Sequence, residues 1–283
     1  MVFNNSKEHH LFDSLKSYAN LEINLASQRS PSEYLRPFSL ILPCKNDAYL
    51  LEKLLHIIEN LDNEFFSKKF EVIIIDESTD QKSIEIIDKL PLIFSNLNMK
   101  ITRVPPGTGL LTSELIGLKA AMYPWKVVMD CDLQHSPKDI FKLLEKLNSQ
   151  ADLVVGSRFL DGSDFQLSIF RRVVSILANA YVKIILPFAI YLTDTTSGFF
   201  AISEKVSVEN VQIKGSKTLL FIISKNPGLK IAEVPITFNR RIYGKSKLFN
   251  PLYLMRFPLE IYEYRKYYLK CKKGDSKKSL DNP

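Results

Sequence analysis

Val127-Val128-Met129-Asp130-Cys131-Asp132-Leu133-Gln134-His135-Ser136-Pro137 is the stretch on which the reading of this chain turns. Lys126–Met129 is an apolar run of strand character, and it ends abruptly in acidic residues. Ser136-Pro137-Lys138-Asp139 then supplies a cap, a proline at the first helical position and an acid in the first turn. Ile140, Phe141, Leu143, Leu144 and Leu147 follow with the spacing of one buried helix face. The stretch is therefore a strand-to-helix joint with carboxylates at the joint. Working outward, Phe38–Leu42, Phe70–Ile75, Met99–Val104 and Asp152–Val155 also read as strands, and Lys230–Pro235 as a later one. Leu51, Leu54, Leu55 and Ile58 mark an intervening helix. This alternation predicts an α/β fold, a parallel sheet with helices on its faces. Ligands of such sheets bind beyond the carboxyl ends of the strands.

Composition fits one compact catalytic domain. The 283 residues are 46% hydrophobic and 24% charged, away from disordered or collagenous composition. Residues 1–36 form a polar extension, 37–248 the domain, and 249–283 an aromatic and basic segment with a tail. The net charge of +7 is concentrated late, in Arg265, Lys266, Lys270, Lys272, Lys273, Lys277 and Lys278. A solvated end and an anionic membrane surface both explain it. Nucleic acid is not expected, because no zinc-finger or RNA-binding pattern is present. Three scattered cysteines, Cys44, Cys131 and Cys271, suggest neither a disulfide framework nor a zinc site and fit a reducing cytoplasm. The first residues lack the apolar core of a signal peptide.

In extended backbone Asp130, Asp132 and Gln134 would share one side of the chain, facing the cleft. Few carboxylates plus substrate phosphates suit Mg²⁺ or Mn²⁺, which would offset the charge of a departing diphosphate. Asp76 ends the preceding strand in Asp76-Glu77-Ser78-Thr79-Asp80, where a carboxylate can meet a ribose or base edge; helix capping by Ser78 or Asp80 is the equal alternative. Pro43, Asn46 and Asp47 stand similarly after the first strand, on the other side of a nucleotide. Pro105-Pro106-Gly107-Thr108-Gly109 leads into a helix whose N–H groups could face an anion, with a plain turn as the alternative. It lacks the lysine and hydroxyl of a P-loop. Arg240, Arg241, Lys245, Ser246 and Lys247 lie in one glycine-containing loop suited to phosphate, with a solvated loop as the ordinary alternative.

In this order, Leu42–Asp47, Ile75–Asp80, Gly109 through Gly117 to Ala121, Asp130–Pro137, Val155–Phe159, Thr196–Phe199 and Arg241–Lys247 resemble the family 2 glycosyltransferases. The resemblance covers about Phe38 to Leu248 and is nearest to the dolichyl-phosphate mannose synthase and polyprenyl-phosphate branch. It implies a GT-A fold, a Rossmann-like, mostly parallel sheet with helices on both faces. Asp47, Asp76 and Asp130 would surround the nucleotide and Asp132 and Gln134 the metal, with Asp132 catalytic. Arg241 and Lys247 would clamp phosphate, with Arg171, Arg172 and Ser246 serving the acceptor phosphate. This sequence departs from the pattern at Phe200, where relatives carry a phosphate-binding arginine, and at Phe221, often acidic. Pro105-Pro106 also replaces the usual lysine.

The expected activity is inverting transfer of a hexose, mannose from GDP-mannose, to a dolichyl or polyprenyl monophosphate. UDP-glucose or another donor, with a carbohydrate hydroxyl as acceptor, is the alternative. A non-catalytic nucleotide- or lipid-binding paralogue is the alternative of another class. Val173–Leu192 is long and apolar, but Arg171, Ser175, Asn179 and Lys183 recur every four residues and Pro187 interrupts it. An in-plane interfacial helix explains that stripe better than ordinary core packing, and better still than a span. Tyr253, Phe257, Tyr262, Tyr264, Tyr267 and Tyr268 add a second expected headgroup contact, making the protein peripheral on the cytoplasmic face of a membrane.

Overall fold

Strands β1 (Phe38–Cys44) and β2 (Phe70–Asp76) are buried along their whole length, with no alternation of inward and outward residues. That is the pattern of a parallel sheet covered on both faces. The computed structural model describes residues 36–61, 70–165, 169–208, 215–240 and 251–278. Arg241, Ser246, Lys247 and the extension before residue 36 lie outside the described residues.

After β1 come α1 (Ala48–Leu61), β2, α2 (Gln81–Ile93), β3 (Met99–Arg103), α3 (Leu110–Ala120) and β4 (Trp125–Val128). Then follow α4 (Asp139–Asn148), β5 (Leu153–Ser157), β6 (Asp164–Phe165), α5 (Ile169–Ile185), a 3-10 turn (Pro187–Tyr191) and β7 (Phe200–Ile202). The described chain closes with α6 (Thr218–Lys225), β8 (Ile231–Pro235), β9 (Thr237–Phe238) and α7 (Pro251–Lys278). The main sheet runs β3-β2-β1-β4-β7-β5-β8, and β6 pairs with β9 separately. Every neighbour in the main sheet is parallel except β7, which is antiparallel to both β4 and β5. The first residue of β7, Phe200, pairs with Val128 and Val155. The segment before it therefore reaches the carboxyl ends of β4 and β5 from the opposite direction.

The expected strands all form, within two residues of the expected bounds. Three other expectations need correction. The helix after Pro137 starts only at Asp139, with Lys138 in helical backbone at the cap position and no side-chain cap bond to the helix N–H groups. Ser136 and Pro137 instead form a preceding turn, in which the Ser136 carbonyl accepts from the Asp139 N–H at 3.1 Å. Asp139 is tied to β9, accepting the Thr237 N–H at 2.7 Å.

The second correction is one of bounds: of the apolar segment expected over Val173–Leu192, α5 covers only the part up to Ile185, with its polar stripe half-buried or buried. Asn179 is 8% exposed, whereas Phe170, Val173, Leu177 and Ile184 are 48–78% exposed. Among the described residues no helix is long and apolar enough to cross a membrane. The third concerns the aromatic segment. Tyr264 is fully buried, Tyr267 packs on Phe221 at 6.2 Å, Tyr268 on Phe188 at 4.9 Å and Phe257 on Tyr181 at 6.1 Å. Most of these rings fasten α7 to the body, leaving Tyr262 outward at 51%. The Tyr253 side chain lies outside the described residues. Glu260 completes the fastening, accepting the Ser216 and Lys217 N–H groups at 2.5 and 2.8 Å, just before α6, and the Tyr264 hydroxyl at 2.6 Å.

Phe200 and Phe221 are both 1% exposed in the core cluster that also contains Ile41, Leu115, Val128 and Tyr264. Two of the three departures from the family pattern are thus filled by core aromatics. Helix α3 approaches β1 so closely that a Cβ on Gly117 would stand 2.5 Å from Ile41 Cγ2. A Gly117→Ala chain should lose about 1–3 kcal/mol in urea unfolding, since a methyl in a filled core forces strain. An unchanged midpoint would show that α3 can move.

Candidate active site

The loops after β1 and β2 are laced together by Asn46, whose φ of 60° lies in the left-handed region that asparagine tolerates. Its N–H donates to Ser78 Oγ at 3.0 Å, and its Oδ1 accepts the Thr79 N–H at 2.8 Å. The Asp47 carbonyl starts α1, accepting from Leu50 and Leu51 at 2.9 and 3.1 Å, while its half-buried side chain lies near Cys131. Pro43 is buried within β1 opposite Ile75.

Asp76 and Asp80 divide the two roles weighed for their turn. Asp80 caps α2, accepting from the Ser83 N–H at 2.8 Å. Asp76 has no exposed side-chain surface and accepts from Arg103 Nε and the Ser78 N–H, both at 2.8 Å. Its neighbour Glu77 explains the glycine loop. Gly107 and Gly109 donate their N–H groups to Glu77 at 2.9 and 3.1 Å, and Lys45 meets the same carboxylate at 2.5 Å. The anion facing that loop is the protein's own. Burial raises the Glu77 pKa, but Lys45 and the two glycine N–H groups outweigh it and hold the group below its usual range.

The segment after β4 is not extended. Leu133 has φ 61°, so the extended run that would put side chains 130, 132 and 134 on one side is broken before Gln134. Asp132, 8% exposed, accepts the Gln134 N–H on Oδ1 at 3.1 Å. Gln134 Nε2 donates to the Asn239 carbonyl at 3.2 Å, and the Asn239 N–H returns a bond to the Gln134 carbonyl at 2.7 Å. That pair directs the amide's oxygen end, the one able to ligate a cation, away from Asn239. Asp130 is half-buried, and a Cβ on Gly198 would lie 3.1 Å from its Oδ2. Asp132 and Asp47 both act on the buried Cys131 thiol, whose pKa is raised chiefly by its hydrogen bond to Cys44 and by burial. The β1 and β4 ends therefore converge.

Several side chains at this site carried no assigned role in the sequence reading. Arg158, at the end of β5, donates to Asp194 through Nε at 2.6 Å and Nη2 at 2.8 Å, and to Thr196 Oγ1 at 2.9 Å. Its N–H reaches Asp194 as well, at 3.1 Å. Burial opposes both charges, but Arg158 outweighs it at Asp194 and lowers the carboxyl pKa, while Asp194, with Asp130 nearby, outweighs it at Arg158 and raises that of the guanidinium. Glu233 accepts the Thr193 and Asp194 N–H groups at 2.7 and 3.1 Å. A charged residue at the end of an apolar strand was the available signal for Arg158. Asp194 and Glu233 had none, because their partners are far along the chain. Arg171 and Arg172 occupy the first turn of α5, half-buried and exposed respectively.

Do these residues suit a divalent cation? Among the described residues no three His, Cys, Asp or Glu side chains form a protein cage. Two carboxylates in the Asp130–Asp132 segment are the set that Mg²⁺ takes when substrate phosphates complete its shell. The donor chemistry fits.

Comparison with known proteins accords with this geometry. The family model "Glycosyl transferase family 2" matches residues 39–207, and the chain belongs to that family. Among its relatives are two dolichol-phosphate mannosyltransferases. The one from Pyrococcus furiosus is 33% identical over 74% of this chain and 58% of its own length. That from Saccharomyces cerevisiae is 30% identical over 75% of this chain and 80% of its own. In fold, the chain is similar to glucosyl-3-phosphoglycerate synthase of Mycobacterium tuberculosis, crystallised with Mn²⁺, UDP-glucose and phosphoglyceric acid. The TM-score is 0.60 at 19% identity, covering 84% of this chain and 81% of that one. The chain is thus a glycosyltransferase of GT-A fold.

His135 offers a measurable property of the site. It is 2% exposed between the rings of Phe199 at 5.1 Å and Phe238 at 5.0 Å, and among the described residues its Nδ1 has no hydrogen-bond partner. Burial lowers its pKa from 6.5 to about 4. The unfolded chain then binds the proton first, so this contribution is intact above pH 6.5 and is lost as pH falls towards 4. That gap is worth about 3 kcal/mol. His135→Phe should flatten the fall in urea-unfolding stability between pH 6.5 and 4; an unaltered slope would place the titration elsewhere.

Proposed function

We propose that this glycosyltransferase moves mannose from GDP-mannose to a polyprenyl or dolichyl monophosphate, with inversion, at the cytoplasmic face of a membrane. The observation that carries the reading is α5. Its inward polar stripe joins the site through Asn179, while Phe170, Val173, Ile176, Leu177 and Ile184 face outward. A water-soluble donor site thus adjoins a face suited to lipid. Exposed Arg172, Arg256, Arg265, Lys266, Lys270 and Lys272 complement anionic headgroups. The named relatives support the same acceptor and sugar.

Asp130 and Asp132, with the Gln134 oxygen, would hold Mg²⁺ or Mn²⁺, whose chemistry there is to offset charge on the departing diphosphate. Pro43 and Asp76, at the ends of β1 and β2, and Asn46 and Asp47, in the loop just after β1, shape the nucleotide side. Arg171, Arg172, Arg241, Ser246 and Lys247 are assigned to phosphate. A lipid monophosphate, with a second pKa near 6, is already anionic at neutral pH. Its oxygen forms the new bond to the anomeric carbon as the bond to the diphosphate breaks and the electron pair leaves with the nucleotide. No enzymatic base is required; alignment and charge stabilisation are the residues' work.

Labelled sugar transfer from GDP- and UDP-sugars to short-chain polyprenyl phosphate tests the donor and acceptor together. Chelator should abolish product and added Mg²⁺ or Mn²⁺ restore it, and Asp132→Ala should lower turnover about a hundredfold or more. Product from UDP-glucose alone would replace the donor, and transfer to carbohydrate but not lipid phosphate would replace the acceptor. Ile176→Glu with Leu177→Glu should reduce flotation with anionic vesicles about tenfold or more. Equal flotation would sink the lipid-facing assignment of α5.

A further inference from the structure

Residues 193–198 touch the site twice, since Asp194 grips Arg158 and Gly198 lies against Asp130. What holds this loop is a side chain on another element. Asn179 of α5 donates through Nδ2 to the Thr193 carbonyl at 2.5 Å. Its Oδ1 accepts from the Thr195 N–H at 2.9 Å and from Thr195 Oγ1 at 2.6 Å. These bonds bracket Asp194, which is itself 0% exposed, on both sides. An amide carries its donor and its acceptor on separate atoms, so it can donate to the residue before while accepting from the residue after; a carboxylate lacks the donor and an ammonium the acceptor. Asparagine is a weak helix former, so its place in the buried side of α5 needs a reason outside the helix. Glu233, on β8, holds Thr193 and Asp194 through other atoms. The loop is thereby suspended between α5 and β8.

We infer that Asn179 is a positioning residue for sugar transfer: by fixing residues 193–195 it sets Asp194, and through Asp194 the Arg158 guanidinium, linking the outward-facing helix to the reacting centre. This rests on the transferase reading above. The Asp194 carboxylate must meet Arg158 with two donors at once, and a bidentate pair has little tolerance for rotation. Loss of the Asn179 bonds frees the loop to turn about Glu233, and Arg158 turns with it.

Two measurements on the full chain test this. Hydrogen exchange reads the loop without catalysis. In Asn179→Leu, close to asparagine in volume, the amides of Thr195 and Thr196 should exchange about tenfold faster or more, while those of β1 and β2 keep their rates. Unchanged loop exchange overturns the inference. Steady-state kinetics read the link to Arg158. Asn179→Leu should lower kcat about tenfold with donor KM within about twofold, and Asn179→Leu with Arg158→Lys should be within about threefold of the worse single variant. Non-additivity of that kind marks one shared pathway, whereas losses that multiply overturn it. Should Asn179→Leu fail to fold, Asn179→Ala takes its place, losing the bonds to both Thr193 and Thr195, and the same two criteria apply. Wild-type product on polyprenyl phosphate is measured in parallel. Its absence refutes the acceptor reading, and loop exchange still decides Asn179.

Discussion

The Arg158 guanidinium and the Asp194 carboxylate are both withdrawn from water, 10% and 0% exposed in their side chains. Two such charges persist only by facing each other with their hydrogen bonds filled. Removing either partner from a pair of this kind typically costs about 3–5 kcal/mol. Much of the surrounding architecture answers that demand. The Asp194 oxygens are filled by Arg158 and by the Thr196 N–H, and Thr196 returns a contact to Arg158. Phe238 lies under the guanidinium at 5.2 Å and also borders His135. Since His135 is near neutral, it adds no competing charge to the cluster.

A parallel sheet alone would not bring Asp194 to Arg158. Strands β4 and β5 point the same way, and their carboxyl ends carry Asp130, Asp132 and Arg158. The reversed β7 between them lets the chain enter that edge just before pairing, with Thr193 to Gly198 laid over both ends. One reversed strand of three residues thus adds a second set of side chains to a site that sheet geometry already favours. The same logic governs the glycine loop at the β2 end, where Glu77 absorbs the N–H donors and ties loop to strand.

How much of this could be read beforehand follows from the range of each cause. Strands such as Val72–Ile75 and helix faces such as Leu51–Ile58 are set by neighbours a few residues away, so periodicity reveals them. The carboxylates at strand ends were visible for the same reason. What failed were inferences of backbone shape beyond the strand. Leu133 takes a left-handed conformation that nothing in its identity announces, and Ser136 is drawn into a turn because Asp139 is wanted by Thr237. The inward polar stripe of α5 was visible as a stripe, but its direction depends on Thr193 and Thr195, more than a dozen residues on. Asp194 and Glu233 were silent for a like reason, since their partners lie 36 and about 40 residues away. Ring chemistry misled at Tyr264, where amphipathic character serves equally for a headgroup and for a buried hydroxyl bound to Glu260.

The sheet order places everything up to β4 on one side and everything after it on the other. The two halves of the sheet share a single seam, the three pairs Lys126↔Ile202, Val127↔Ala201 and Val128↔Phe200. A lineage that exchanged or enlarged the later half would have to conserve little besides that short ladder and the core beneath it. The half that bears β1, β2 and their loops would be inherited unchanged. Such a molecule is built like a grip with interchangeable jaws, able to change one half of its working edge while keeping the other.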